Sequence, residues 1–225
     1  VVKQLSAPEG LRPCCAFGYQ LKTRLSGIPV PFYRINNVID AGSTGQHSFN
    51  DSHWNALLAL TGLNQEHNGI IYTRRGGFID TAHIRDSADM TFWIFSQLYP
   101  KLGKAFSFLP GEDELAKRVV VFNAFRPPDD PATAYTLAVW IAARVAFQIA
   151  AWHEIAQWYG FESVPGFSEG ISAFSPEDLY SNMVGVRLAA TLLLTGHGYS
   201  KRGFNTAMTT VLPEALLQLG AESPE

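Results

Sequence analysis

The chain has 225 residues, of which 47 % are apolar and only 16 % are charged. This length and composition exclude a disordered or fibrous protein and predict one globular domain, residues 1–225, with a large buried core. The formal charge of −3 and the scattered lysines and arginines exclude the basic surface that nucleic-acid binding requires.

Short strands and two helices are predicted in the first 130 residues. The irregular N-terminal segment 1–30 is rich in glycine and proline, and residues 100–130 form a loop-rich insertion with several prolines. Outside these loops, apolar runs of strand length alternate with stretches of helical periodicity. The predicted elements are strands at 31–39, 70–73 and 119–122 and helices at 51–60 and 79–99.

Helices account for most of the remaining chain. The longest begins with Asp130 as N-cap and Pro131 in the first helical position, and it continues to Gly160. Further helices are predicted at 175–194, where serine and proline again mark the start, and as two weaker segments over 203–220. These elements predict an α+β fold, a helix-dominated single domain with a long buried central helix and a few short strands.

The apolar stretch 132–152 resembles a membrane span, since about 20 residues cross a bilayer. Arg144 and Gln148 fall in the middle of this stretch, and His153 and Glu154 follow it directly. Because such polar groups are costly in lipid, a helix buried inside the protein is favoured. No transmembrane span is therefore predicted.

The two cysteines, Cys14 and Cys15, give little information about the cellular compartment. Adjacent cysteines do not readily form an ordinary disulfide with each other, so no disulfide framework indicates an oxidising environment. The first ten residues lack the charged head and apolar run of a secretory signal. Two interpretations stay open: a cytosolic protein, or a protein trimmed to its mature region.

A first candidate site lies in the helix predicted at 79–99. On an ideal helix Asp80 and His83 share one face, and Asp86 lies about 60° from His83. A carboxylate beside an imidazole orients the ring, raises its basicity or binds a metal ion together with it. The alternative interpretation is structural: Asp80 caps the helix, while Arg85 and Asp86 form solvated ion pairs.

A second candidate site is the pair His153-Glu154, near the end of the long helix. The helix face around His153 carries mainly small apolar residues, so both polar side chains are predicted to point into the interior. A buried carboxylate needs a partner, a metal ion or a proton, because an unpaired buried charge is costly. The alternative is a hydrogen-bonded pair that holds two helices together.

The segment from His153 to Gln157 is similar to the zinc-peptidase pattern HExxH, with Gln157 in place of the second histidine. In that pattern two histidines one turn apart bind zinc, and the glutamate activates water. A zinc site here needs its second histidine from elsewhere, and His83 is the natural candidate. The predicted metal ligands are His83, His153, Asp80 and Asp86, with Glu154 as the general base.

Other residues are weaker candidates for the same site. His47 and Glu66 lie in predicted loops that are able to fold back onto the helices. Gln157 and Arg85 each neighbour predicted ligands along a helix. These four residues are kept as additional candidates.

Two further features receive structural or minor interpretations. Glu177 and Asp178 lie in the first turn of the helix at 175–194, where acidic side chains favour the helix dipole. Cys15 as a nucleophile needs a histidine partner that the sequence does not identify.

Six short sequence motifs along the chain together carry a family resemblance. They are RPCCAFG at 12–18, NGIIYT at 68–73, RGGFIDTAHIRD at 75–86, WHE at 152–154, WYG at 158–160 and FSPEDLYSN at 174–182. In this order they resemble a family of uncharacterised bacterial proteins, a domain of unknown function, over roughly residues 10–190. The resemblance implies an exported envelope protein, periplasmic or associated with the outer membrane. It implies that the His83 and His153 segments are features of one family, and it supplies no substrate.

We therefore expect a metal-dependent hydrolase of the bacterial cell envelope, with zinc as the expected cofactor and another divalent ion as an alternative. Its substrate would be a peptide, peptidoglycan or a lipid, and nothing in the sequence chooses among them. The second hypothesis is a non-catalytic envelope binding or structural protein with a buried His/Asp/Glu polar network. A third is a cysteine hydrolase that uses Cys15.

Overall fold

The computed structural model describes residues 4–9, 12, 21–25, 28–35, 38–52, 54–55, 58, 65–162, 173 and 175–224. These residues form four long helices and three two-stranded antiparallel sheets, which confirms the predicted helix-dominated α+β class. The strands are β1 (Leu21–Leu25) paired with β2 (Ile28–Ile35), β3 (Ile70–Thr73) with β4 (Gly77–Asp80), and β5 (Phe106–Phe108) with β6 (Val120–Phe122). The helices are α1 (Thr81–Leu98), α2 (Pro131–Trp158), α3 (Pro176–Leu194) and α4 (Lys201–Gln218).

Helix α1 is the most deeply buried of these helices and packs against both α2 and α3. Its Phe92, Ile94 and Phe95 are fully enclosed in the main hydrophobic core. The neighbouring helices contribute small side chains to this core, among them Ala142 of α2 and Ala189 of α3. Small residues let helix axes approach closely, so α1 has little space around it for anything but tightly packed side chains.

Helix α2 begins as predicted, because the Asp130 side chain accepts a hydrogen bond from the backbone N–H of Thr133 and Pro131 occupies the first helical position. Its buried face includes the small apolar stripe predicted for the His153 side of the helix, with Val139, Ala142 and Ala146 enclosed. The opposite face, which includes Trp140, is exposed. The long helix therefore borders the core on one side only.

The β3–β4 hairpin leads directly into α1. Strand β3 forms as predicted, but residues 77–80 form β4, in which Asp80 pairs with Ile70, so the helix predicted from residue 79 begins at Thr81. Gly77 adopts φ +67°, which closes the turn between the strands and favours glycine. Helix α1 starts at Thr81 because Asp80 caps it. The hairpin thus fixes the position of the first turn of α1.

The prediction of two weaker helices over 203–220 is wrong, because α4 is one continuous helix with Pro213 in its interior. Every fourth residue of α4 is buried, and this row consists of Phe204, Met208, Leu212 and Leu216. Burial of this row offsets the single backbone hydrogen bond that a proline removes. The short helix predicted at 51–60 lies partly outside the described residues, although Trp54, Asn55 and Leu58 are helical.

Candidate metal centre

Asp80 holds its place at the start of α1 through two backbone hydrogen bonds. Its carboxylate accepts from the N–H of Ala82 at 2.8 Å, and its own N–H donates to the Ser181 hydroxyl at 2.9 Å. The residue is fully buried. The predicted cap is therefore correct, and the bond to Ser181 ties the start of α1 to α3.

Asp178 lies in the first turn of α3. Ser175 precedes the helix, Pro176 starts it, and the Ser175 hydroxyl donates to Oδ2 of Asp178 at 2.7 Å. The second oxygen, Oδ1, lies 3.3 Å from Nε2 of His83. Within the described part of the chain this buried Oδ1 accepts no hydrogen bond. Asp178 therefore directs one oxygen to its own helix start and the other towards α1.

Asp80, His83 and Asp178 form a cluster that we call the Asp80 triad. Each residue offers one nitrogen or oxygen atom, and these atoms all lie within 4.8 Å of one another. Both aspartates are buried, and only 12 % of the His83 side chain is exposed. Atoms that bind one ion at about 2.1 Å lie roughly 3–4 Å apart, so a small closure of the triad would accommodate a divalent cation.

Negative charge dominates the surroundings of His83. Burial alone would lower the pKa of the imidazole, but the charges of Asp80, Asp178 and Glu154 outweigh it and raise the pKa to about 9. Burial in turn raises the pKa of Asp178 to about 7, although His83 opposes this shift. The protonated imidazole of His83 and the carboxylate of Asp178 thus stabilise each other, and a bound cation would also neutralise the negative charge of this site.

Glu154, in α2, lies near the Asp80 triad. It is fully buried in α2, and its charge acts on both His83 and Asp178. The Asp80 triad therefore lies where α1, α3 and the C-terminal half of α2 meet, with Glu154 close enough to influence its protons. Gln157, one turn further along α2, is also buried.

His153, the neighbour of Glu154, has a different partner from the predicted one. Its Nδ1 lies 3.2 Å from Oε1 of Glu114, and the other oxygen of Glu114 lies 3.3 Å from a guanidinium nitrogen of Arg118. The rings of Phe161 and His153 pack in a T-shaped arrangement, with their centroids 6.1 Å apart. The structure thus places His153 against the loop between β5 and β6.

Asp86 also lies apart from the triad, in a buried group that we call the Arg12 network. This network consists of Arg12, His47, Glu66, Arg85, Asp86 and Asp89. Arg12 binds Asp86 through a guanidinium nitrogen at 2.7 Å and through its backbone N–H at 3.0 Å. It also binds both oxygens of Glu66, at 2.7 and 2.9 Å, and an oxygen of Asp89 at 2.9 Å.

The additional candidates His47, Glu66 and Arg85 all belong to the Arg12 network. Arg85 donates to Nδ1 of His47 at 3.1 Å, so Nε2 carries the proton and donates to Asp89 at 2.7 Å. Burial lowers the pKa of His47, which agrees with this neutral ring. Burial alone would raise the pKa of Glu66, but the guanidinium of Arg12 holds it well below its usual range.

Of the four predicted ligands, the structure brings Asp80 and His83 together. Among the described residues, the group with metal-ligand spacing contains Asp178 as its third member and includes neither His153 nor Asp86. Glu154, the predicted base, lies within electrostatic reach of this group. Cys14 and Cys15 lie outside the described residues.

The sequence interpretation missed Asp178 as a site residue because an acidic side chain in the first helical turn is commonly explained by the helix dipole. One signal pointed to more: Asp178 lies in the phrase at 174–182 that carries part of the family resemblance. Arg12 and Glu114 were also missed. Their roles depend on contacts between segments that lie far apart in the chain.

Comparison with known proteins identifies the family to which the chain is similar. The model of a family described as "Protein of unknown function (DUF4056)" matches residues 2–225. No curated protein and no solved structure matches the chain.

Proposed function

We propose, from the premise that the chain belongs to the DUF4056 family and that this family has no assigned function, that the protein is a metal-dependent hydrolase. The observation that carries the proposal is the Asp80 triad, two carboxylates and one imidazole with metal-ligand spacing in a buried site. Ligands come from two helices, and a third carboxylate, that of Glu154, acts on them from α2.

The charges around the Asp80 triad favour the binding of a cation. Asp80, Asp178 and Glu154 contribute up to three negative charges, that of Asp178 only in part at neutral pH because burial raises its pKa to about 7, whereas His83 contributes one positive charge when protonated. Burial of excess charge of one sign is unfavourable, and a divalent ion would neutralise most of it. Oδ1 of Asp178, which accepts no hydrogen bond from the described residues, is available as a ligand atom.

Each residue has a distinct role in the proposed chemistry. A divalent ion held by Asp80, His83 and Asp178 would supply a Lewis acid that lowers the pKa of water to about 7. Glu154 would take up the proton from that water as general base and deliver it to the leaving group. Ser175 and Ser181 would keep the ligands in place through their hydrogen bonds to Asp178 and Asp80.

The donor set narrows the choice of metal ion. Zinc is expected from the sequence, and an imidazole with carboxylates is compatible with it. Two carboxylates with a single imidazole also suit Mn²⁺, because hard oxygen donors favour that ion more than thiolate or multi-histidine sites do. We therefore keep zinc as the leading ion and manganese as the alternative.

The substrate class rests on the family resemblance of the sequence. An exported envelope protein with a water-activating site would act on a peptide, peptidoglycan or a lipid ester.

Metal binding is the first test. The 225-residue protein is stripped with a chelator and titrated with ZnCl₂ and, separately, MnCl₂ in a calorimeter. We expect one ion per chain for the wild type and at least about a tenfold loss of affinity in Asp80→Asn and Asp178→Asn. His153→Gln is the matched comparison: it keeps the ion if the Asp80 triad is the site, and it loses the ion if His153 is a ligand.

Catalysis is tested separately with Glu154→Gln. This variant should still bind the ion but lose hydrolysis of whichever peptide, muropeptide or ester substrate the wild-type protein cleaves. A wild type that binds neither ion, with ligand variants that fold normally, would overturn the proposal.

The non-catalytic alternative has one observation in its favour. A separation of 3.3 Å between His83 Nε2 and Asp178 Oδ1 also fits a buried ion pair that links α1 to α3. In that case Asp178→Asn destabilises the protein by leaving a charged imidazole with fewer partners, and added metal ions have no effect on the melting temperature.

A further inference from the structure

A cavity of about 740 Å³ lies beside the first half of α4. The described residues that line it include the buried His47 and no member of the Asp80 triad. His47 contacts Asp89, which is six residues after His83 and therefore points about 120° away from it around α1. Sites for small molecules have volumes of about 300–1,000 Å³. The cavity is thus large enough for a small organic ligand and is separate from the proposed metal site.

Hydrogen bonds between distant segments hold the walls of this cavity in place. One wall is a stripe along α4, and the segment 46–48 contributes to the other. The backbone N–H of His47 donates to the Thr209 hydroxyl at 2.9 Å, and the backbone N–H of Phe49 donates to Oδ1 of Asn205 at 2.9 Å. The cavity is therefore formed by the fold itself, as is usual for small-molecule sites.

The lining of the cavity is polar. Leu58 is the apolar residue among the described residues that line it, and the others carry amide, hydroxyl, imidazole or charged groups. Within the described part of the chain, the side chains of Gln46, Gln65 and Thr206 form no hydrogen bonds. Most small-molecule sites are lined mainly by apolar groups, so this lining favours a ligand rich in hydroxyl groups.

The charges at the cavity are positive. Lys201 and Arg202 line it, and the described lining residues include no aspartate or glutamate. Nζ of Lys201 lies 2.7 Å from Oδ2 of Asp51, so the charge of this lysine is offset. Among the described residues, no carboxylate pairs with Arg202. Its guanidinium is therefore available to a carboxylate or phosphate group, which it is able to bind through two parallel hydrogen bonds.

We propose that this cavity binds a hydroxylated organic anion, a sugar that carries a carboxylate or a phosphate group. Arg202 holds the anionic group, and the amides and hydroxyls of the two walls bind the sugar hydroxyls as donors and acceptors. An apolar ligand is disfavoured, because it would remove these polar groups from water without replacing their hydrogen bonds.

Titration calorimetry tests this proposal on the full 225-residue chain. The protein is kept metal-free with a chelator, so that an anion cannot bind through a metal ion at the Asp80 triad. The ligands are glucose 6-phosphate and glucuronate, with uncharged glucose and inorganic phosphate as comparisons. We expect one site per chain and an affinity for at least one acidic sugar that is about tenfold higher than that for glucose or phosphate. The tighter of the two acidic sugars identifies the anionic group.

Substitutions in the cavity separate its charge from its hydroxyl groups. Arg202→Gln should lower the affinity for the acidic sugar about tenfold and leave the affinity for glucose unchanged. Thr206→Val keeps the shape of the side chain but removes its hydroxyl, and it should weaken the binding of the acidic sugar about three- to tenfold. Arg187→Gln is the matched control, because Arg187 is an exposed arginine of α3 outside the cavity and should have no effect.

Asp80→Asn distinguishes this site from the proposed metal centre. It should leave sugar binding unchanged, so the cavity proposal and the hydrolase proposal fail independently. Circular dichroism of each variant checks that the protein is folded.

Three results would contradict the proposal. The first is that neither acidic sugar binds more tightly than glucose. The second is that the affinity for the acidic sugar is the same in Arg202→Gln as in the wild type. The third is binding that Asp80→Asn abolishes, which would place the anion at the Asp80 triad instead of the cavity.

Discussion

Helix α1 carries two buried polar clusters that lie close together but differ in their charge balance. The Arg12 network sets two arginines against Glu66, Asp86 and Asp89, and hydrogen bonds connect its members. The Asp80 triad and the neighbouring Glu154 set three carboxylates against one histidine. One cluster thus brings its counter-ions from the chain, whereas the other is short of positive charge.

The charge balance of each cluster predicts its role in the protein. Charges that the fold itself neutralises hold segments together, and their loss should affect stability first. Charges that the fold leaves in excess lower stability without a ligand and identify the place where a cation would bind.

The largest expected effect is on the Arg12 network. Arg12→Met leaves Glu66, Asp86 and Asp89 without their shared partner, and it should lower the free energy of unfolding by about 3–5 kcal/mol. Urea unfolding at neutral pH measures this change. Arg74→Met is the control, because Arg74 pairs with Glu222 on the surface with 77 % of its side chain exposed and should have little measurable effect. Equal effects for both variants would contradict the assigned role of Arg12.

Because of Glu66, the free energy of unfolding should decrease at acidic pH. Its pKa is depressed in the folded protein, so its contribution is fully present above the usual carboxyl pKa and is lost as the pH falls below that value. Glu66→Gln should cost about 1–3 kcal/mol at neutral pH. The difference from the wild type should then narrow between about pH 5 and pH 3. A constant difference across this range would show that the Glu66 charge does not stabilise the fold.

The third prediction concerns the spacing of α1 and α3, which position the residues of the Asp80 triad. A Cβ at Gly185 would collide with the Ser87 hydroxyl and the Ile84 carbonyl oxygen, so Gly185→Ala should force the helices apart. The expected loss is about 1–3 kcal/mol of unfolding free energy, together with weaker metal binding. Gly42→Ala is the control, because a Cβ there meets no atom within 4 Å. Unchanged metal affinity in Gly185→Ala would separate the metal site from this helix contact.

The smallest expected change in stability comes from substitutions of Asp80, which separate its role as the cap of α1 from its proposed role as a metal ligand. Asparagine caps helices as well as aspartate does, so Asp80→Asn should leave the stability of the metal-free protein nearly unchanged, whereas Asp80→Ala should cost about 1 kcal/mol. The proposed zinc site predicts that added zinc raises the melting temperature of the wild type, and both variants should lose this rise. A zinc-dependent rise that survives in Asp80→Asn would remove Asp80 from the ligand set.

The fold could be predicted largely from local signals. Asp130 with Pro131, and Ser175 with Pro176, mark the starts of α2 and α3 because capping and proline geometry depend on neighbouring residues only. Strand β4 could not be recognised in the same way. Residues 77–80 form a strand because β3 lies beside them, and pairing between strands is a tertiary property.

The candidate site likewise combines features that local sequence signals predict with features that depend on tertiary structure. Residue spacing alone predicts that Asp80 and His83 share the start of one helix and that His153 and Glu154 lie near the end of another, since helical geometry follows from spacing. The partners that these side chains contact follow from tertiary packing. Asp178 joins Asp80 and His83, Asp86 is bound by Arg12, and His153 lies against Glu114, because such contacts depend on how distant segments pack rather than on periodicity.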